Sequence, residues 1–167
     1  MCGIGPEKRG RGCWKGRLFM VKRDVLERKL CQIEKSLAKI LSYRQLTFDE
    51  FISHPVARDV VEYNLFIIIN CMIDIVSHIA KDEQLGEMDY LADGFRLVGE
   101  HGYWSKEQTA VYIKMVTFRN MIAHQYIDIS AQVVYDILQR WLEDIQDFKK
   151  RIYISMPERA NMDEKGG

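Results

Sequence analysis

Among the side chains able to do chemistry, an arginine and a histidine five positions apart stand out, in the run Arg119-Asn120-Met121-Ile122-Ala123-His124-Gln125-Tyr126. A guanidinium is permanently charged and presents a planar fork of N–H donors, which suits holding a phosphate and stabilising charge that develops on its oxygens. An imidazole, with an ordinary pKa of about 6.5, can take up or return a proton at working pH. Together they suit cleavage of an RNA phosphodiester, where the neighbouring 2′-hydroxyl is the nucleophile and no metal is required. Arg119 and His124 are therefore the candidate catalytic pair. Tyr126 can stack on a base or donate to a phosphate.

On a regular helix, residues five apart differ by about 140° around the axis, so Arg119 and His124 would not share a face. Either the helix unwinds near Ile122 and lets His124 swing back, or a two-fold dimer sets one copy of the motif against the other. Asn120 and His124 are four apart and can face one another, giving Asn120 a supporting role in orienting the imidazole.

A second polar set, Asn70, Asp74 and His78, recurs at four-residue steps on an otherwise apolar stretch. It reads either as a support behind the catalytic cleft, with Asp74 as the anchoring carboxylate, or as a satisfied core network or dimer contact. Asp74 with His78 has the form of half a metal pair, but no third and fourth ligands stand at helical spacing, so no metal is expected. His54, before Pro55, and His101, between glycines, fit capping and surface positions. Tyr103, Trp104, Lys106 and Lys114 fit an RNA-contacting surface or a core with a solvated rim equally well.

These residues need helices to position them. From Met20 to about Leu41, apolar residues Val25, Leu26, Leu30, Ile33, Leu37, Ile40 and Leu41 recur every three or four positions, predicting an amphipathic helix. Thr47 with Glu50 has the form of a capping box over a short turn carrying Phe48 and Phe51. After Pro55 a long helix should run to about Lys81, apolar on most of its surface and hence central in a bundle. Gly86 breaks the pattern, and Met88, Leu91, Phe95 and Leu97 or Val98 predict a shorter helix closed in the Gly99 to Gly102 region. Ser105 with Gln108 resembles another capping box, opening the helix that delivers Arg119 near its end. Asp128 or Ser130 can cap a last helix through Val133, Val134, Ile137, Leu138, Trp141, Ile145 and Phe148. No stretch shows two-residue alternation, so the expected fold is an all-α antiparallel bundle of four to five main helices.

The limits of that domain are expected at residues 20–152. Residues 1–19 hold five basic residues and five glycines without apolar periodicity, and are expected to be a disordered basic extension. The polar remainder, 153–167, is expected to be a flexible tail. A chain of 167 residues that is 47% hydrophobic is one domain's worth and can bury its own core. Its 24 basic and 24 acidic residues cancel, so contact with a nucleic acid must come from a local patch. The four cysteines, Cys2, Cys13, Cys31 and Cys71, form no Cys-x-x-Cys pair and read as reduced thiols. No signal-peptide h-region is present, and the apolar run from Leu65 to Val76 is shorter than the roughly 20 residues of a membrane span. A cytoplasmic chain without a membrane partner or a cofactor is the expectation.

The run Phe118 to Tyr126 resembles the Arg-x-x-x-x-His-x-Tyr signature of HEPN-domain ribonucleases, and the surrounding chain is similar to HepT-type toxins of the HEPN/MNT toxin–antitoxin family. The resemblance extends from about Arg23 through Ile152, taking in the helical opening, the apolar Asn64 to His78 helix and the Tyr135-Asp136-Ile137-Leu138 ending. It implies a helical bundle, a homodimer with a composite cleft, and metal-independent endoribonuclease action on an RNA substrate. It further implies an antitoxin partner, an MNT-type nucleotidyltransferase that neutralises the toxin by AMPylation of the motif tyrosine, here Tyr126. An alternative is a non-catalytic helical module that pairs with a nucleotidyltransferase, to which the neutral net charge and the short motif are equally suited.

Overall fold

The computed structural model describes residues 20–124 and 129–156. They form six helices, α1 (Met20–Leu41), α2 (Phe48–Ser53), α3 (Ala57–Asp82), α4 (Asp93–Glu100), α5 (Lys106–His124) and α6 (Ala131–Ser155), with a 3₁₀ turn at Ser42–Gln45. The fold is an all-α bundle, as the periodicity predicts, with three long helices, α1, α5 and α6, around α3.

The central position of α3 follows from its composition. Val61, Leu65, Ile68, Ile69, Met72, Ile75 and Val76 are fully buried, and side chains of this kind contribute about 1.5–3 kcal/mol each when removed from water. Helices α1, α2, α4, α5 and α6 all pack on it. By length and hydropathy α3 could cross a membrane, yet 56% of its apolar window is covered by the rest of the bundle.

Local chemistry sets most helix starts where the sequence puts them. Thr47 and Glu50 form a complete capping box on α2. Ser105 Oγ accepts from the Gln108 amide (3.2 Å) while Gln108 Oε1 accepts from the Ser105 amide (3.4 Å). Ser130, rather than Asp128, caps α6 by accepting from the Val133 amide.

Two boundaries differ from expectation. The fourth helix begins at Asp93, not near Met88, because the Asp93 carboxylate accepts from the amides of Asp89 (3.0 Å) and Tyr90 (2.8 Å) and holds that stretch as turns. At the other end, α6 continues through Ser155, past the limit at 152, since the buried side chain of Met156 ties the final turn to the core. The expected basic extension, residues 1–19, and most of the expected tail, 157–167, lie outside the described residues.

At one end of the bundle α4, α5 and α6 meet in a tight aromatic cluster. Phe95, Trp104, Tyr112 and Phe148 pack with ring centroids 5.2–6.2 Å apart, and Trp104 Nε1 donates to the Phe95 carbonyl at 3.2 Å. Two glycines allow close packing of this region, Gly99 beneath Trp104 and Gly94 of α4 against Val76 of α3. A Cβ on Gly99 would lie 2.7 Å from Trp104 Nε1, and one on Gly94 would lie 2.8 Å from Val76 Cγ2.

Candidate active site

The motif lies at the opposite end of α5 from the aromatic cluster. Phe118, its first residue, is buried and packs edge-on against Trp141 of α6 (5.8 Å), which fixes the rotation of α5 about its axis. That rotation turns the half-buried Arg119 toward α3. Its Nε donates to Asn70 Oδ1 at 2.7 Å, its Nη1 donates to Asn120 Oδ1 at 3.2 Å, and its guanidinium carbon lies 5.1 Å from the centre of the Phe66 ring. A cation at that distance from an aromatic face is attracted by the ring quadrupole. Asn70 is itself held, its Nδ2 donating to the Phe66 carbonyl at 2.9 Å.

His124 is exposed in the last turn of α5. The helix does not unwind near Ile122, since α5 is continuous from Lys106 to His124. Arg119 and His124 are therefore about 140° apart in direction and about 7.5 Å apart along the axis, and one copy of the chain does not bring them together on one face. Asn120 serves Arg119 and makes no hydrogen bond to His124, so the expected orienting contact is replaced by one to the neighbouring side chain. Tyr126 lies outside the described residues. Ile129, the first described residue after it, is buried, and its carbonyl accepts from the guanidinium of Arg58, which also pairs with Glu62 at 2.7 Å.

Of the polar stripe on α3, Asn70 is the member that reaches the arginine. Asp74, the carboxylate expected to support the cleft, is instead half-exposed and pairs with Lys29 of α1 at 2.5 Å, linking two helices and raising the lysine pKa through that hydrogen bond. The reason is geometric: one further turn along α3 faces α1 rather than α5. His78 is half-buried another turn on. Among the described residues no three His, Cys, Asp or Glu side chains converge as metal ligands. Tyr103 and Trp104 belong to the aromatic end: Tyr103 donates to Glu83 at 2.5 Å and Trp104 is buried. Neither borders the motif. The role of Asn70 was hidden because helical spacing identifies a stripe but not which neighbouring helix each of its members meets.

The family model described as ribonuclease HepT-like matches residues 33–152, most of the chain and the whole of the Asn70, Arg119 and His124 arrangement. The chain belongs to the ribonuclease HepT-like family. It is 28% identical over 127 residues to the mRNA nuclease HepT of Shewanella oneidensis, covering 75% of this chain and 93% of that one. Its fold is similar to that of the tri-AMPylated Shewanella oneidensis HEPN toxin solved in complex with an MNT antitoxin, with a TM-score of 0.72, 26% identity, and 78% and 98% of the two chains covered. A cytosolic Bacillus subtilis protein of unknown function, YutE, shares the fold at a TM-score of 0.69 and 17% identity, over 79% of this chain and 88% of that one. The HEPN-type helical fold of this family accounts for the bundle around α3.

Proposed function

We propose that the chain is the toxin of a toxin–antitoxin pair and acts as a metal-independent endoribonuclease. The observation that carries this reading is the held guanidinium: Arg119 is fixed by two amides over an aromatic ring with His124 exposed one turn beyond. The relative named mRNA nuclease HepT supports the same reading. In the reaction, His124 removes the proton from the 2′-hydroxyl, whose oxygen attacks the adjacent phosphorus. The bond to the 5′-oxygen of the next nucleotide breaks, leaving a 2′,3′-cyclic phosphate and, once the leaving oxygen is protonated, a 5′-hydroxyl. Arg119 stabilises the charge gathering on the non-bridging oxygens.

Because α5 is unbroken, the working cleft takes Arg119 from one copy and His124 from a second copy in a homodimer. A complementation experiment tests this. Arg119→Ala and His124→Ala proteins, each inactive alone, should regain about a quarter of wild-type cleavage when mixed and allowed to exchange subunits, because each mixed dimer contains one intact composite site. No recovery after demonstrated exchange would show that both groups act from one chain.

Control falls to Tyr126. An MNT-type nucleotidyltransferase would transfer AMP from a nucleoside triphosphate to the Tyr126 phenol with release of pyrophosphate, and the added phosphate and bulk beside the cleft would repel RNA. The MNT antitoxin bound to the similar Shewanella oneidensis toxin, itself AMPylated, supports this. Unmodified protein in EDTA should cleave RNA to products with cyclic or 3′-phosphate ends. Co-expression with the partner should yield protein heavier by AMP, a mass gain that Tyr126→Phe abolishes. Unchanged cleavage and growth inhibition in His124→Ala would overturn the mechanism. Tight partner binding without any cleavage by unmodified protein would favour the non-catalytic module.

A further inference from the structure

Among the described residues, every group that holds Arg119 is electrically neutral. The two hydrogen-bond acceptors are the side-chain amides of Asn70 and Asn120, and the surface beneath the guanidinium is the ring of Phe66. A carboxylate in either position would give the arginine a stronger, charge-assisted bond. A carboxylate is in fact close at hand. Asp74 lies one turn beyond Asn70 on α3, at a spacing that places side chains side by side, but Lys29 holds it at 2.5 Å.

We infer that Asn70 is a positioning residue whose neutrality is its function: with Phe66 it fixes the plane of Arg119 while leaving the full positive charge for a phosphodiester anion. Two of the five guanidinium donors are engaged, at Nε and Nη1, and the Nη2 end carries no bond to a described residue. That end is the one offered to the phosphate. Asn70 is in turn held through its Nδ2 by the Phe66 carbonyl, so the amide cannot flip without losing a bond on each side. Lys29 contributes at a distance, by keeping the Asp74 charge occupied. This inference rests on the ribonuclease reading for its substrate, but the charge argument extends to binding of any single-stranded RNA.

Two substitutions separate positioning from charge. Asn70→Ala removes the acceptor and leaves the arginine charged but loose: kcat for RNA cleavage should fall about 10- to 100-fold, with little change in the salt dependence of binding. Asn70→Asp keeps an acceptor of the same shape but turns the contact into an ion pair. It should be at least as heat-stable as the wild type, cleave less than Asn70→Ala, and bind a non-cleavable 2′-deoxy oligonucleotide with the slope of log K against log salt shallower by about 0.7, the loss of one phosphate contact. A merely structural Asn70 predicts the opposite order, with the stable Asp variant the more active. Wild-type cleavage in Asn70→Ala would overturn the positioning role, and an unchanged salt slope in Asn70→Asp would overturn the charge argument. Absence of cleavage by the wild type would sink the ribonuclease reading alone, since the salt slopes are read on a substrate that is never cut.

Discussion

At its N-terminal end α5 runs beneath Trp104 and gives Tyr112 to a cluster with Phe95 and Phe148, whereas at its C-terminal end Arg119 is held by two amides and His124 meets solvent. The aromatic end is also locked by polar contacts: Arg151 pairs with Asp147 at 2.6 Å and donates to the Tyr103 carbonyl at 3.2 Å, and Gln108 donates to the same aspartate. One helix is thus anchored at the end away from the motif and open at the end that holds the proposed catalytic pair. The lesson is a division of labour, because side chains that contribute little to stability at the open end are free to be selected for reactivity.

Substitutions at the two ends should therefore have opposite signatures. The largest effect belongs to His124→Ala, expected to reduce RNA cleavage by about 10²–10⁴-fold while leaving the thermal midpoint unchanged, because the ring is exposed. A large drop in thermal stability would erase the contrast. At the other end Phe148→Ala, which empties a fully buried site, should cost about 3–5 kcal/mol of stability in chemical denaturation, with the residual folded protein as active per molecule as wild type.

A subtler comparison sits within the aromatic cluster. The hydroxyl of Tyr112 is buried without a hydrogen-bond partner among the described residues, and a buried unsatisfied group of this kind costs about 1–3 kcal/mol. Tyr112→Phe should accordingly stabilise the protein by about 1 kcal/mol, seen as a higher midpoint. A lower midpoint would show that the hydroxyl has found a partner.

The smallest effects concern two neighbouring aspartates with opposite environments. Arg151 holds Asp147 below its usual carboxylate range, while burial, with Glu143 and Asp147 close by, pushes Asp144 above it. Asp147 then adds stability at neutral pH that is lost as pH falls through its depressed value. Asp144 does the reverse, becoming a cost as pH rises through its elevated value. At pH 7 Asp147→Asn should lower the midpoint and Asp144→Asn should raise it, each by a few tenths of a kcal/mol after solvent screening. As pH falls, the Asp144 difference should fade first and be gone by pH of about 4, whereas the Asp147 difference should shrink only below that, and melting curves across pH would show whether the signs and windows are as stated.

Much of this arrangement was legible from the order of residues. The paired patterns Thr47 with Glu50 and Ser105 with Gln108 announce their helices because capping is a contact between residues three apart, settled within one turn. The apolar surface of α3 likewise declares its central place. What was not legible depends on how helices are rotated against one another. Asn70 and Asp74 look equivalent on a helical stripe, yet one meets α5 and the other α1, through contacts spanning 49 and 45 positions. The alternative of an unwound helix at Ile122 also fell to packing, since Phe118 against Trp141 and the covered flank of Ile122 keep α5 regular to its end.

The link between Asn70 and Arg119 also sets a schedule for biosynthesis. The two residues are separated by 49 positions, with α4 and most of α5 between them. On a translating ribosome the N-terminal half emerges first, and α1 can cover part of α3 well before α5 exists. During that interval the side of α3 that carries Asn70 has no partner, and nothing resembling the arginine site has been assembled. A truncated product ending before residue 106 would expose that apolar side and be cleared as misfolded. The proposed action of Arg119 on RNA can begin only once α5 has been made and has packed against α3.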